Sequence, residues 1–432
     1  MNRLTILILS LFLLNNCSPN EESRIWKNKE KNLNNQKNIQ KVFLEEKKIT
    51  EEFNQGIKLD LSKIKTNNKI VDNNNDYGSQ DYSGLINKIG NYRFSKIENV
   101  NQLNFKPIFF DNGLIFFDKK GSISRYDNKQ KVLWKKNHYS KSEKKLKPKL
   151  DFALSGEDLL IVDNIAKYYS VNVTTGALNW SNNNMYPFNS EIKIKKNKFF
   201  VVDYKNTLRC YNIIDGTECW NLQTEDSFTI SNSKFSLIII DDNIIFSNSI
   251  GDITAVDIET GLITWQLPTQ SSNIINETYR FKISKLVSDG KSIFFSNNKN
   301  QFYSLDAKTG IINWINEINS NLTPITIGNL LFTVSNNGYL YVVEKNKGNI
   351  IRITDLYINY KAKKRKDINP VGFAIGNTQL YLTNTDGKMI IAELDLGNVI
   401  GIEKISGDFT SKPFIFNQNL FVIKNGSIIQ YN

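Results

Sequence analysis

The sequence predicts an all-β fold, an eight-bladed β-propeller of four-stranded blades whose last blade is closed by a strand from before the first repeat. Three observations predict it. First, glycine precedes tryptophan by four positions at Gly176 and Trp180, Gly216 and Trp220, Gly261 and Trp265, and Gly310 and Trp314. Trp134, with Gln130 in the glycine slot, is an earlier copy, and Gly348 with Arg352 and Gly397 with Gly401 are later copies without the tryptophan. Second, these tails fall about 38–49 residues apart, the length of one four-stranded blade. Third, residues 413–431 supply three strands of an eighth unit and then the chain stops.

Each unit is built from short β-branched and aromatic runs broken by turn residues. Phe109–Phe117 turns at Asp111, Asn112 and Gly113, Ile238–Phe246 at Asp241 and Asp242, and Leu330–Val342 at Asn336, Asn337 and Gly338. Such runs are hairpin signals, not helix signals. The glycine ahead of each tail suits a hairpin position with positive φ. The tryptophan then falls on the outermost strand, where it packs between neighbouring blades. Seven complete units span about 105–406. The eighth lacks a fourth strand, and an open edge there would be a pairing hazard. Residues 83–90 or 92–97 are the natural donor, which makes 83–432 one ring.

Ahead of the ring, a positive start at Arg3 leads into the apolar run Leu4–Leu14, which ends near Cys17. About eleven such residues are too few to span a bilayer, which takes ~20, and suit the core of a signal peptide. A cysteine at the end of that core resembles a bacterial lipoprotein signal. Residues 1–16 are accordingly read as the signal peptide, with Cys17 the lipidated residue. Residues 17–82, rich in Asn, Lys and Glu, are read as a lipid-anchored and mostly disordered tether.

The chain has 55 Lys+Arg, 43 Asp+Glu, one histidine and three cysteines. That inventory excludes a His/Cys zinc cluster and a multi-His metal site. A Ser-His-Asp or Cys-His nucleophile would have to use His138, which reads as a surface residue in a basic loop. No catalytic residue, metal or cofactor is expected. Cys210 and Cys219 flank the turn at Asp215 and Gly216, a placement compatible with a disulfide in an oxidising compartment and equally with two reduced, buried thiols. The charge is uneven: residues 151–432 hold 26 basic against 27 acidic residues, and 107–150 hold 12 against 4. Its peaks are Lys135 and Lys136 onward to Lys149, and the run Lys361, Lys363, Lys364, Arg365 and Lys366. Both are unit-to-unit connections and are expected on one face. Anionic phospholipid headgroups, an acidic protein or solvent alone would suit them. Nucleic acid does not fit the N-terminal address.

The Gly-x-x-x-Trp tails resemble the pyrroloquinoline-quinone (PQQ) type of propeller repeat. With a lipoprotein signal and eight blades, the chain resembles the BamB family of outer-membrane assembly lipoproteins over residues 83–432 and Cys17. The resemblance implies a non-catalytic scaffold at the periplasmic face of the outer membrane, with no small-molecule substrate. Its implied partners are the periplasmic domains of BamA and other subunits of the barrel assembly (BAM) complex. Docking in that family uses two successive inter-blade loops, the first with an apolar-x-apolar-Arg cluster and the second with an acidic pair. Here they correspond to residues 222–236, with Phe228 and Ile230 and with Ser231 where the arginine would stand, and to 266–283, with Glu277 alone. The alternatives are a periplasmic binding propeller of other purpose and a quinone-dependent dehydrogenase. The vicinal cysteine pair that many such dehydrogenases carry is missing from this sequence.

Overall fold

The strands pair into eight four-stranded antiparallel sheets in the structure, a computed structural model that describes residues 52–61, 80–95, 106–225, 233–269, 281–407 and 410–432. Seven sheets are consecutive in sequence. The first runs from β2 (Ile108–Phe110) to β5 (Val132–Lys136), and the seventh from β26 (Pro370–Ile375) to β29 (Val399–Lys404). The eighth joins β30 (Phe414–Phe416), β31 (Asn419–Lys424) and β32 (Ser427–Tyr431) to β1 (Lys88–Arg93) on its outer side. The closing strand therefore straddles the two stretches the sequence offered as donors. It pairs antiparallel with β32, Gly90 opposite Gln430 and Arg93 opposite Ser427.

Burial follows position in the blade. The second and third strands, such as β11 (Lys198–Val202) and β12 (Thr207–Asn212), are sandwiched between neighbouring blades and largely buried. That is why they read as near-continuous apolar runs. Outermost strands such as β13 (Glu218–Gln223) alternate between exposed and half-buried residues. The apolar core accordingly lies in layers between blades, for example Phe200, Val202 and Leu208 of the third blade against Leu237, Ile244 and Phe246 of the fourth.

The repeated tail is a lock between blades. Each tryptophan lies opposite the same position of its neighbouring strand: Trp180 faces Ser170, Trp220 faces Cys210, Trp265 faces Ala255 and Trp314 faces Ser304. A bulge follows each pair. The indole then reaches the next blade. The Nε1–H of Trp134, Trp180, Trp220, Trp265 and Trp314 donates to the carbonyls of Val173, Ile213, Ile258, Ala307 and Lys345, at 3.1, 2.8, 3.0, 3.3 and 3.0 Å. The ring lies on the next blade's glycine turn. At Gly310, φ is +72° and an added Cβ would lie 2.5 Å from Cε3 of Trp265. Glycine is needed there twice over, for its φ and for the room.

The degenerate copies have structural causes. At the seam the lock is inverted: Gly90 of β1 occupies the tryptophan slot, and an added Cβ there would lie 3.0 Å from Nε2 of Gln130. The missing indole leaves room for Gln130, which holds φ +63°. Gly401 fills the slot in the seventh blade, opposite Ile391. The next blade joins β32 to β1 with no third-to-fourth turn between them, so no turn awaits an indole. In the sixth blade the slot holds Arg352, fully buried, opposite Val342. Its guanidinium donates to the carbonyls of Leu394 at 3.0 Å, Asp395, and Ile57 at 3.0 Å.

Ile57 belongs to a stretch that the sequence assigned to the tether. Residues 52–61 lie along the outer edge of β25 (Ile350–Asp355). Phe53 makes an antiparallel bridge to Ile353, the amide of Leu59 donates to Asp395, and Leu59 is buried in the core between the sixth and seventh blades. Farther on, Tyr82 is buried against Tyr381, and Asn377 donates its amide to the Tyr82 carbonyl. Arg352 thus replaces an indole where a strap of the chain's own N-terminal region covers the blade edge.

Gly310→Ala is expected to lower the free energy of unfolding by about 2 kcal/mol or more, through strained φ and the displaced indole. Trp265→Phe, which removes one hydrogen bond, costs about 1 kcal/mol. Urea titrations of the two variants check both values. Arg352→Gln should free the strap: amide exchange at Phe53 and Leu59 rises at least tenfold, read by hydrogen exchange, while β19 (Ser292–Asn297) stays protected.

Candidate functional site: the connection face

Antiparallel alternation puts the second-to-third turns and the blade-to-blade connections at one end of every blade. The first-to-second turns and the third-to-fourth turns, whose glycines receive the indoles, lie at the other end. Adjacent innermost segments run the same way, as in the parallel bridge between Ser190 and Phe235. All connections therefore share one face of the ring.

At the axis, charged side chains near the starts of the innermost strands reach across blades. Lys234, ahead of the fourth blade, pairs with Asp151 of the second, and Lys285, ahead of the fifth, pairs with Glu191 of the third. Lys193 stands 3.9 Å from Glu191. Burial alone would push the Glu191 carboxyl up, but Lys285, Lys193 and Lys234 outweigh it and hold it far below the usual carboxylate range. For Lys412, burial and then Lys285 push the ammonium down, against the attraction of Glu191. These pairs brace non-adjacent blades across the axis. Among the described residues no group of three or more His, Cys, Asp or Glu side chains is arranged to hold a metal ion.

The first basic connection is anchored from beneath. Ser140 caps the short helix Lys141–Lys145 in a capping box with Glu143. Lys167 of the second blade donates to the His138 carbonyl at 2.8 Å and to Glu143 at 3.2 Å. The Tyr139 hydroxyl donates to buried Asp163 at 2.6 Å. His138 is not the surface residue expected: it is half-buried, with its ring centroid 5.7 Å from that of Tyr169 and its Nε2 enclosed. Burial pushes its pKa down and so favours the neutral ring. Lys135 is committed to Asp118 at 2.9 Å, while Lys136 is exposed. Burial would raise the Asp118 carboxyl, but Lys135 and the amides of Lys120 and Ser122 hold it below the usual range.

The second basic connection carries the short helix Ala362–Arg365. Arg365 pairs with Asp355 at 2.8 Å and Lys364 with Asp386 at 3.4 Å, whereas Lys361, Lys363 and Lys366 are exposed. Both runs emerge on the connection face.

The other sequence candidates divide. Cys17, Phe228, Ile230, Ser231 and Glu277 lie outside the described residues. The bases of the two loops that hold the last four are described, and they touch. Ser233 Oγ donates to the Phe281 carbonyl at 3.4 Å, Asn206 Nδ2 donates to the Glu225 carbonyl at 2.7 Å, and Thr269 Oγ1 donates to the Gly251 carbonyl at 2.7 Å. Cys210 and Cys219 are both free thiols in the structure, Cys210 buried and Cys219 exposed. The tail register explains their placement: Cys210 faces Trp220, and Cys219 falls in the bulge. Burial, then Cys219, pushes the Cys210 thiol up. Sequence reasoning missed the strap over residues 52–61, whose signal is the alternation of Ile57, Leu59 and Leu61.

Eight blades, five of whose junctions are locked by an indole on a glycine turn, define the class, a PQQ-type β-propeller. The sequence signature described as outer membrane protein assembly factor BamB matches residues 119–354, more than half the chain, and the chain belongs to that family. Among solved structures it is similar to BamB from Moraxella catarrhalis, at 16% identity and TM-score 0.65, over 81% of this chain and 100% of that one. It is also similar to the computationally designed Ika8 protein, at 13% identity and TM-score 0.59, over 79% and 99%. A third likeness is to quinohemoprotein alcohol dehydrogenase from Comamonas testosteroni, at 9% identity and TM-score 0.62, over 82% and 78%. At these identities what is shared is the fold. No curated protein matches the chain in sequence.

Burial pushes the Asp163 carboxyl up to about 6 despite the Tyr139 hydroxyl and the amides of Ile165 and Lys167 that favour its ionised form. Its unfolded value is about 3.9. The contribution of this group is fully present below about pH 4 and is lost as pH rises through about 6. Asp163→Asn should therefore remove that fall from the stability profile between pH 4 and 6, measured by urea unfolding at each pH.

Proposed function

We propose that this protein is a non-catalytic, periplasm-facing lipoprotein scaffold of the outer-membrane β-barrel assembly complex, which binds BamA and assists insertion of outer-membrane proteins. The observation that carries this reading is the family match, which runs from the first blade to the sixth. Cys17 supplies the lipid anchor in this reading. The docking patch is the pair of neighbouring connections that hold Phe228, Ile230 and Ser231 in one and Glu277 in the other. Their touching, hydrogen-bonded bases at Ser233 and Phe281 support a single shared patch, because two loops pinned side by side can present one surface to a partner. Ser231 supplies no guanidinium, so apolar contact through Phe228 and Ile230 carries the docking. An apolar pair at the centre of a small interface is where binding energy concentrates.

Purification of the tagged protein from detergent-solubilised membranes tests the role. BamA in the eluate is the expected result, and a bound quinone with dye-linked dehydrogenase activity would overturn it. Phe228→Asp with Ile230→Asp should lower BamA recovery at least tenfold, and unchanged recovery would exclude this loop as the docking site.

A further inference from the structure

Beside the first basic connection lies an open cleft of roughly 440 Å³, lined among the described residues by Lys119, Lys120, Lys141, Lys144, Lys145 and Lys147. Two of these lysines come from the second-to-third turn of the first blade. The other four lie on or beside the short helix of the connection. The carboxylates nearest to it in sequence are spoken for. Asp118 is buried under Lys135, and Glu143 accepts from the Ser140 amide and Lys167. Six lysine side chains thus line one low-lying part of the surface, where like-charged walls focus the field.

From this we infer that the connection face rests on a bilayer surface, with the lysine cleft seated on anionic phospholipid headgroups. Four observations select a membrane. All six lining side chains are lysines, compact point charges suited to a diffuse field of phosphates. No arginine fork for bidentate recognition of one particular carboxylate is among them. Leu146 stands 61% exposed among the lysines, as an apolar residue does where a basic helix meets the headgroup boundary. The second basic connection, with Lys361, Lys363 and Lys366 exposed, lies on the same face and widens the charged area. Across the described turns and connections of this face, lysines and arginines outnumber carboxylates, and on the opposite face they do not.

The inference does not rest on BamA docking or on acylation, and its test keeps all three apart. The full chain carrying Cys17→Ser, which leaves no thiol to acylate, is sedimented with phosphatidylcholine vesicles and with vesicles containing about 30% phosphatidylglycerol. The N-terminal apolar run is common to every variant, so differences between variants report the ring. Stronger binding to the anionic vesicles is expected. The combined variant Lys141→Gln, Lys144→Gln and Lys145→Gln should weaken it about 100-fold, from the usual contribution of a lysine at an anionic surface. Lys129→Gln with Lys131→Gln, on the opposite face, should leave it within about twofold, and salt near 0.5 M should abolish it. Lys129, Lys131, Lys141 and Lys145 are exposed and Lys144 is half-buried, and an unchanged unfolding midpoint shows that each variant folds. Equal binding to both vesicle types would overturn the inference, as would equal losses from the two faces. Loss of binding to a polyglutamate chain with vesicle binding retained would assign the cleft to an acidic protein and overturn it too.

Discussion

The ring depends on one recurring contact, an indole of one blade lying on the glycine turn of the next. A blade alone is a four-stranded sheet with apolar residues on both faces of its middle strands, and it has no core of its own. The lock fixes how each sheet meets its neighbour, so that Phe200 and Val202 of one blade find Leu237 and Phe246 of the next. Because the indole also satisfies a carbonyl at the turn, packing and hydrogen bonding select the same geometry. At the seam no indole is available, and the pairing of β1 with β32 does the same work by joining the two ends of the ring in one sheet.

The connection face follows from this constraint. Strand alternation sends every inter-blade segment to one end of the ring, and the glycine turns that receive the indoles all lie at the other. The glycine-turn face is thereby committed to holding the ring together, because substitutions there disturb the locks. The connection face is free to vary in length and charge, and the lysine cleft, the second basic run and the connections that begin at Thr224 and Pro268 are all found on it. The charged pairs at the axis, Lys234 with Asp151 and Lys285 with Glu191, tie non-adjacent blades at that same end.

Much of this was legible in the sequence because the lock is local: glycine and tryptophan sit four residues apart, and the period can be read without structure. The eighth blade was legible from the missing strand. What was not legible depends on contacts distant in sequence. Arg352 looks like a decayed copy until Ile57, nearly three hundred residues earlier, is seen accepting from it. The short alternation of Ile57, Leu59 and Leu61 is too weak a signal in an Asn- and Lys-rich segment to be distinguished from tether. His138 read as exposed because its neighbours are lysines, yet the connection folds back so that its ring meets Tyr169 of the next blade. The cysteine pair flanks one turn, compatible with a bridge or with two thiols, and the tail register puts Cys210 opposite Trp220 and Cys219 in the bulge.

The central claim is that β1 closes the ring into one cooperative structure. Hydrogen exchange followed by mass spectrometry under native conditions tests it most directly, by comparing peptides that cover Lys88–Arg93 with those that cover the middle strands of the fourth blade. The account predicts that both exchange at the same slow rate, set by global unfolding. Fast exchange in Lys88–Arg93 while the fourth blade stays protected would contradict it.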